Sequence, residues 1–231
     1  MMMNILVIAV TALLIAGLFV YLSWHKKQKL ALLTNAVQAA GWQIKTIEER
    51  LVSTVLISGQ GMHGEWFLET KATASPNDAG PGSSETGLYT RWWTSAITLP
   101  GGNLLIGPRP PGSQVMGMVN GALLQMAFKA LLGKDADWVN NLLPVELVES
   151  AVNQQFLCLA NSKQDADRLM KPDATRLLLL LPDKIKPVIK LRGTGLEIAL
   201  PGIRLEKIEE IQTLVDLGLN LVDSWRDNYA N

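Results

Sequence analysis

Few residues in this sequence have the chemistry that catalysis requires. The chain has two histidines, His25 and His63, and a single cysteine, Cys158. His63 could act as the base of a hydrolase triad, but it would need a serine and an aspartate from distant parts of the chain. Cys158 lies in a predicted buried strand, where a thiol is normally inert. A hydrolase that uses His63 is therefore the least favoured of the three functions that we consider for this protein.

Common catalytic and metal-binding motifs are missing from the sequence. It contains no HExxH, paired CxxC, GxSxG or GxxxxGK[ST], so zinc proteases, zinc ribbons, α/β-hydrolases and P-loop proteins lack their signatures. Glu65 and Glu69 share one face of a predicted strand, but such a pair is more often hydrated or salt-bridged than an acid–base couple. We therefore predict no catalytic residue, no metal site and no cofactor.

The charge balance narrows the choice of partners. Lysine plus arginine and aspartate plus glutamate are equal at 21 each, so the chain has no global basic field that would attract nucleic acid. We expect no nucleic-acid partner.

Residues 5–24 form the most distinctive stretch, because twenty consecutive residues carry no formal charge. As a helix they would span about 30 Å, the thickness of the hydrocarbon core of a bilayer. Tyr21 and Trp24 fall at the predicted membrane surface, which amphipathic aromatics favour. The predicted anchor residues are Ile5, Leu14, Phe19, Tyr21, Trp24, Lys26 and Lys27. We predict a retained, single-pass transmembrane helix, and the lipid bilayer is the first expected partner.

The flanks of this stretch predict its orientation. Lys26, Lys27 and Lys29 follow the apolar run, and no charged side chain precedes it. Because basic residues are held on the cytoplasmic side, the N-terminus is expected outside and the rest of the chain in the cytoplasm. The predicted domains are a transmembrane anchor with its basic flank over residues 1–29 and a cytoplasmic domain over residues 30–231.

The cytoplasmic domain reads as alternating helical and extended segments. The anchor helix is expected to continue to residue 40 and to end at Gly41, since glycine commonly closes helices. Predicted strands cover residues 42–47, 52–58, 64–70, 88–99, 103–107, 155–160, 188–191 and 196–200. Residues 74–87 are almost without apolar side chains and predict a mobile loop. A polar connector over residues 133–144 is a possible subdivision of the domain.

Two neighbouring tryptophans suggest an interaction surface. Trp92 and Trp93 lie in one predicted strand, so one of them must point away from the core unless both faces of the sheet are covered. An outward tryptophan indicates a second layer of structure, a partner surface or a membrane-facing edge. Arg109 follows in a PRPP segment, which is a weak match to a polyproline II ligand and more typical of a connector.

Residues 115–132 form the second most apolar stretch. A membrane span is disfavoured because Lys129 lies within it. An amphipathic helix fits better, with Met116 and Met126 on its apolar side. It could pack on the sheet as a core helix, or lie on the bilayer or a partner, since methionine-rich faces adapt to varied surfaces.

The C-terminal part predicts helices over residues 162–171 and 173–181 and a longer one over residues 204–226. Ile211, Val215, Gly218 and Val222 recur at helical spacing in the last one, which indicates a wide buried face. Gly218 would permit close approach of the helix to the sheet.

These patterns predict an α+β fold, in which an antiparallel sheet packs against helices that include a long C-terminal helix, after a single N-terminal transmembrane helix. This plan resembles that of many bacterial membrane-anchored proteins. We expect an interaction or scaffold protein, such as an accessory subunit of a membrane complex, with a protein partner or a homo-oligomer. The main alternative is a domain that binds a lipid or another apolar small molecule in a pocket between the sheet and the C-terminal helix. The candidate interaction residues are Trp92, Trp93, Arg109, Met116 and Met126.

Overall fold

The computed structural model describes residues 2–49, 52–73, 87–109, 132, 137–182 and 184–227. It divides the chain into two compact units, Met1–Gly41 and Trp42–Asn231. The first unit is helical, and the second contains a large sheet with helices.

Helix α1, Met2–Ala39, is the main element of the first unit. It closes at Gly41, whose φ of 77° lies in the left-handed region that glycine adopts without strain. The prediction of a helix that continues to about residue 40 and ends at Gly41 is thus confirmed. In the part of the chain open to description, we find no helix with the length and apolar character that crossing a membrane requires. The side chains of Ile5, Leu14 and Phe19 lie outside that part.

The second unit is built on an antiparallel sheet, as predicted from the sequence. The strands described are β1 Gln43–Glu49, β2 Val52–Gly61, β3 Gly64–Thr73, β4 Leu88–Thr94, β5 Leu104–Pro108, β6 Leu143–Val145, β7 Phe156–Ala160, β8 Val188–Arg192 and β9 Gly195–Pro201. Their spatial order is β1-β2-β3-β4-β9-β8-β5-β7-β6. Strands β1 to β4 form the expected meander, and the β8–β9 hairpin is inserted between β4 and β5, so these two do not pair.

Strand β4 ends at Thr94 and is therefore shorter than the strand predicted over residues 88–99. The Thr94 hydroxyl donates a hydrogen bond to the Glu65 carbonyl at 2.6 Å and accepts one from the Ala96 amide at 3.1 Å. These bonds satisfy backbone groups locally and turn the chain out of the sheet.

The helices of the second unit include the two short ones and the long C-terminal one expected from the sequence. The three expected helices are α3 Lys163–Leu169, α4 Pro172–Leu180 and α5 Ile208–Arg226. They are preceded by a further short helix, α2 Ser150–Gln155, and by a 3₁₀ turn at Asp137–Asn141. Helix α5 contacts α3, α4 and β4. Pro172 occupies the first turn of α4, where its missing N–H costs nothing.

Helix α5 buries the apolar stripe that its sequence predicts, including Ile211, Val215 and Val222. At Gly218 the helix approaches the sheet so closely that a Cβ atom would lie 2.6 Å from the Trp92 ring. The fully buried Thr90 fixes the segment that leads into α5, because its hydroxyl donates to the Ile203 carbonyl and accepts from the Leu205 amide. Side chains therefore fill the space between α5 and the sheet at this contact.

The opposite face of the sheet is covered over part of its width. Val139 and Leu142, in and next to the 3₁₀ turn, pack on an apolar cluster that includes Leu105 of β5 and Leu159 of β7. Residues 133–144 were expected to be a polar connector, but this part of them contributes to the core. Two apolar side chains, Val139 and Leu142, were too few for the sequence pattern to predict that this segment is buried.

Candidate interaction surface

The two neighbouring tryptophans of β4 point to opposite faces of the sheet. Trp92 faces α5 and is fully buried, with 0% of its surface exposed. Trp93 is half-buried on the other face, which we call the outer face. This arrangement follows from the two-residue period of a strand. The structure thus separates Trp92 from the candidate surface and keeps Trp93 in it.

Trp93 is part of a cluster that spans β3 and β4. It lies directly opposite Phe67 in the strand pairing, and the two rings are stacked with centroids 5.4 Å apart and an interplanar angle of 22°. The Arg91 guanidinium lies 4.4 Å from the centre of the Trp93 ring. Its Nη2 atom is 3.2 Å from Oε2 of Glu69, the residue paired with Arg91 across the two strands. We call Phe67, Glu69, Arg91 and Trp93 the aromatic–arginine patch.

The patch is held in place but is open to solvent. Stacking of a guanidinium on an indole ring is attractive, and the Glu69 carboxylate fixes the guanidinium from the side. The Arg91 side chain nevertheless keeps 37% of its surface exposed and that of Glu69 keeps 24%. The buried Nε atom of Arg91 has no hydrogen-bond partner in the described part of the chain.

A second ion pair continues the polar character of the outer face. Lys190 Nζ lies 2.8 Å from Glu197 Oε1, and Glu197 is paired with Trp93 across β4 and β9. Tyr89 lies on the same face, and its pKa is raised to about 12, chiefly by burial and then by the negative charge of Glu197. The Tyr89 phenol is therefore protonated at neutral pH and can donate a hydrogen bond.

Three of the patch residues, Phe67, Glu69 and Arg91, were not predicted to belong to an interaction surface. Phe67 and Arg91 each lie on an alternating strand pattern, but only the pairing of β3 with β4 shows that they share a face with Trp93. Glu69 was expected to be salt-bridged or hydrated rather than catalytic, and it is salt-bridged to Arg91. The alternation of side chains along each strand could be read from the sequence. The register between β3 and β4, which decides which residues lie opposite each other, could not.

The other candidate interaction residues are not brought to the patch. Arg109 follows β5, where its backbone amide donates to the Gln155 carbonyl at 2.8 Å. Met116 and Met126 lie outside the described residues, as does the predicted amphipathic helix apart from Leu132. Residues 74–86 of the predicted loop are also outside them.

Of the predicted anchor residues with described side chains, all four are exposed on α1. They are Tyr21, Trp24, Lys26 and Lys27. The Tyr21 ring lies 6.0 Å from that of His25, one helical turn further on. The Tyr21 and Trp24 rings are therefore both accessible from outside the helix.

His63 borders an open cleft of about 550 Å³, lined also by residues 96–98, Pro100, Trp225 and Arg226. Its Nε2 atom lies 3.2 Å from Oδ1 of Asp223 on α5. The structure thus supplies the aspartate that a hydrolase would need, but no serine is among the described residues that line the cleft.

Cys158 lies in the middle of β7 and is 1% exposed. Burial is the main reason that the pKa of its thiol is raised to about 12. The thiolate is therefore negligible at neutral pH, which makes Cys158 a poor nucleophile. No group of three or more histidine, cysteine, aspartate or glutamate side chains able to hold a metal ion occurs among the described residues.

Comparisons with protein-family models, with curated proteins and with solved structures found no match to this chain.

Proposed function

We propose that this protein is an interaction or scaffold protein at a membrane, acting as an accessory subunit of a membrane complex. Its α+β domain binds a protein partner through the aromatic–arginine patch. The observation that carries this proposal is the half-buried Phe67–Trp93 stack with the Arg91 guanidinium over the Trp93 ring. Tryptophan and arginine are the residue types that most often dominate the binding energy of protein interfaces.

The patch also indicates the chemistry of the partner. The two stacked rings offer an apolar platform for an aromatic or aliphatic side chain, and Arg91 and Glu69 form a charged border beside it. An acceptor such as a backbone carbonyl or a carboxylate can satisfy the remaining donors of Arg91. A protein segment that presents one apolar side chain flanked by hydrogen-bonding groups has this combination.

The apolar-ligand alternative receives less support from the packing. A pocket between the sheet and α5 would need empty space next to Trp92, yet Gly218 leaves no room there even for a methyl group. Trp66 and Leu68, on the same face as Trp92, are 1% and 0% exposed. In this part of the molecule, side chains occupy the volume that a lipid would require.

The membrane address is a proposal that rests on the sequence. Residues 5–24 lack charge, basic residues follow them, and α1 runs as one helix through the whole stretch. In this arrangement, α1 anchors the chain with its N-terminus outside and the α+β domain in the cytoplasm. Protease added to intact spheroplasts should leave the domain uncut, whereas lysed spheroplasts should lose it. Digestion of the domain in intact spheroplasts would show that the orientation is the opposite of the one proposed.

The function is tested by comparing partners captured by matched variants. The full chain is purified from membranes in a mild detergent as the natural sequence, as Trp93→Ala and as His63→Ala, and co-purifying proteins are quantified. A tryptophan at the centre of an interface typically contributes about 2 kcal/mol or more, so Trp93→Ala should reduce the captured partner at least about tenfold. His63→Ala changes a different surface and should capture as much as the natural chain.

Two outcomes would contradict the proposal. One is capture of the same proteins in equal amounts by all three forms, which would place the binding surface elsewhere. The other is recovery of this chain alone from every sample. Circular dichroism of each variant shows whether the domain has kept its fold, so that lost binding is not confused with unfolding.

A further inference from the structure

The two edges of the sheet differ in how well they are protected against further strand pairing. Strand β6 has three residues and contains Pro144, which cannot donate to a neighbouring strand. Strand β1 has seven residues without proline, and in the described part of the sheet it pairs with β2 alone. Six of its seven side chains are exposed. A strand edge of this length offers a row of backbone donors and acceptors to another strand.

The outer-face side chains of β1 form a short charge pattern. Lys45, Ile47 and Glu49 alternate along the strand and therefore share one face. Ile47 is 39% exposed. Lys45 and Glu49 are both exposed. A positive, an apolar and a negative side chain in this order are complementary to a second copy of themselves in the antiparallel direction.

The possible two-fold registers of β1 with a second β1 can be compared directly. If the axis passes through Ile47, Lys45 lies opposite Glu49 of the second copy and the two Ile47 side chains meet. An axis through Lys45 or Glu48 places like charges opposite each other. An axis through Thr46 places the Lys45 charge opposite Ile47. Charge complementarity therefore selects the register centred on Ile47.

We propose that two copies of this chain associate through their β1 edges, paired antiparallel about Ile47. The pairing joins the two sheets into one, with the two-fold axis perpendicular to the sheet. The outer faces of both copies then lie on the same side, and so do the two aromatic–arginine patches. A partner with two equivalent binding segments would gain affinity from engaging both patches. The pairing itself does not depend on the proposed function of the patch.

Charge reversal tests the register. In light-scattering measurements on the full chain in mild detergent, the natural sequence should form a dimer. Lys45→Glu or Glu49→Lys alone puts like charges opposite each other twice per dimer and should weaken association about tenfold or more. The double variant Lys45→Glu/Glu49→Lys restores both opposite-charge pairs and should recover the dimer. A natural chain that stays monomeric, or single variants that associate as well as the natural chain, would overturn the proposal.

Disulfide trapping provides a second measurement that does not depend on weakening the dimer. Directly paired strand residues have Cα atoms about 4.5–5.5 Å apart, within the range of a disulfide. Ile47→Cys should therefore form a covalent dimer under mild oxidation. Lys45→Cys places the two thiols about 13 Å apart along the strands and should not. The buried Cys158 does not compete.

The controls for trapping distinguish specific pairing from collision. Met62 lies in the turn between β2 and β3 and is 88% exposed, so Met62→Cys reports random encounters. Equal trapping of Met62→Cys and Ile47→Cys would overturn the proposal. If the Ile47→Cys variant cross-linked to a different protein and gave no covalent dimer, that result would also overturn it and would identify a foreign strand as the occupant of this edge.

Discussion

Trp92 and Trp93 are adjacent in β4 but lie in contrasting environments. Trp92 is fully buried on the face covered by α5, where Gly218 allows its ring to contact the helix backbone. Trp93 lies on the outer face, where it is half-buried and contacts Phe67 and Arg91. The same side chain therefore serves the core at one position and an accessible surface at the next. Its role depends on which face is covered rather than on residue type.

The largest expected effect distinguishes these two tryptophans by stability. Trp92→Ala removes a fully buried ring and leaves a cavity beneath α5, which should lower the free energy of unfolding by about 3–5 kcal/mol. Trp93→Ala removes a half-buried ring from a surface stack and should cost about 1 kcal/mol. Urea unfolding of the full chain in mild detergent, followed by circular dichroism, measures both. Equal losses would show that the outer face is packed as tightly as the core.

The sequence predicted much of the fold because the periodic patterns are strong. The meander β1 to β4, the buried Cys158 strand and the apolar stripe of α5 all follow from local alternation or helical spacing. The close approach at Gly218 was also expected. Local patterns do not encode spatial order, so the insertion of the β8–β9 hairpin between β4 and β5 was not predicted.

The candidate site was less predictable than the fold. Strand parity required Trp92 and Trp93 to point in opposite directions, but it did not show which of them faces α5. Assigning Phe67 and Arg91 to the Trp93 side needs the register between β3 and β4, which depends on contacts remote in sequence. The interaction of His63 with Asp223 joins a turn to the end of α5, so it too is visible in the folded chain alone.

The next largest effect tests the close contact that separates the two environments. Gly218→Ala places a methyl group 2.6 Å from the Trp92 ring, so the ring or the helix must shift. Overpacking of this kind typically costs about 1–3 kcal/mol, partly offset by the better helix propensity of alanine. Thermal unfolding measures the loss. Gln212→Ala on the exposed side of α5 is the matched control and should change stability by less than about 0.5 kcal/mol.

A coupling experiment sharpens the interpretation of Gly218→Ala. If its cost arises from the Trp92 ring, combining it with Trp92→Ala should give a loss well below the sum of the two single losses. Additive losses would instead indicate that the methyl group disturbs α5 independently of the ring.

The smallest effect concerns the outer face and its dependence on pH. The pKa of Tyr89 is raised to about 12 in the folded protein, from an ordinary value of 10.0. Between these values the unfolded chain releases a proton that the folded chain retains. The contribution of Tyr89 to stability is therefore complete below pH 10 and is lost as the pH rises from 10 towards 12. Near pH 11 the loss should be about 1 kcal/mol.

Tyr89→Phe isolates this term from the titration of other groups, because it removes the phenol and keeps the ring. Its free energy of unfolding should fall less than that of the natural chain between pH 9 and pH 11, measured by urea unfolding at each pH. Glu197→Gln should lower the pKa of Tyr89, since the Glu197 carboxylate opposes formation of the phenolate. Identical pH profiles for the natural chain and Tyr89→Phe would mean that the Tyr89 hydroxyl is well hydrated. The outer face would then be open to water along β4 from Trp93 as far as Tyr89.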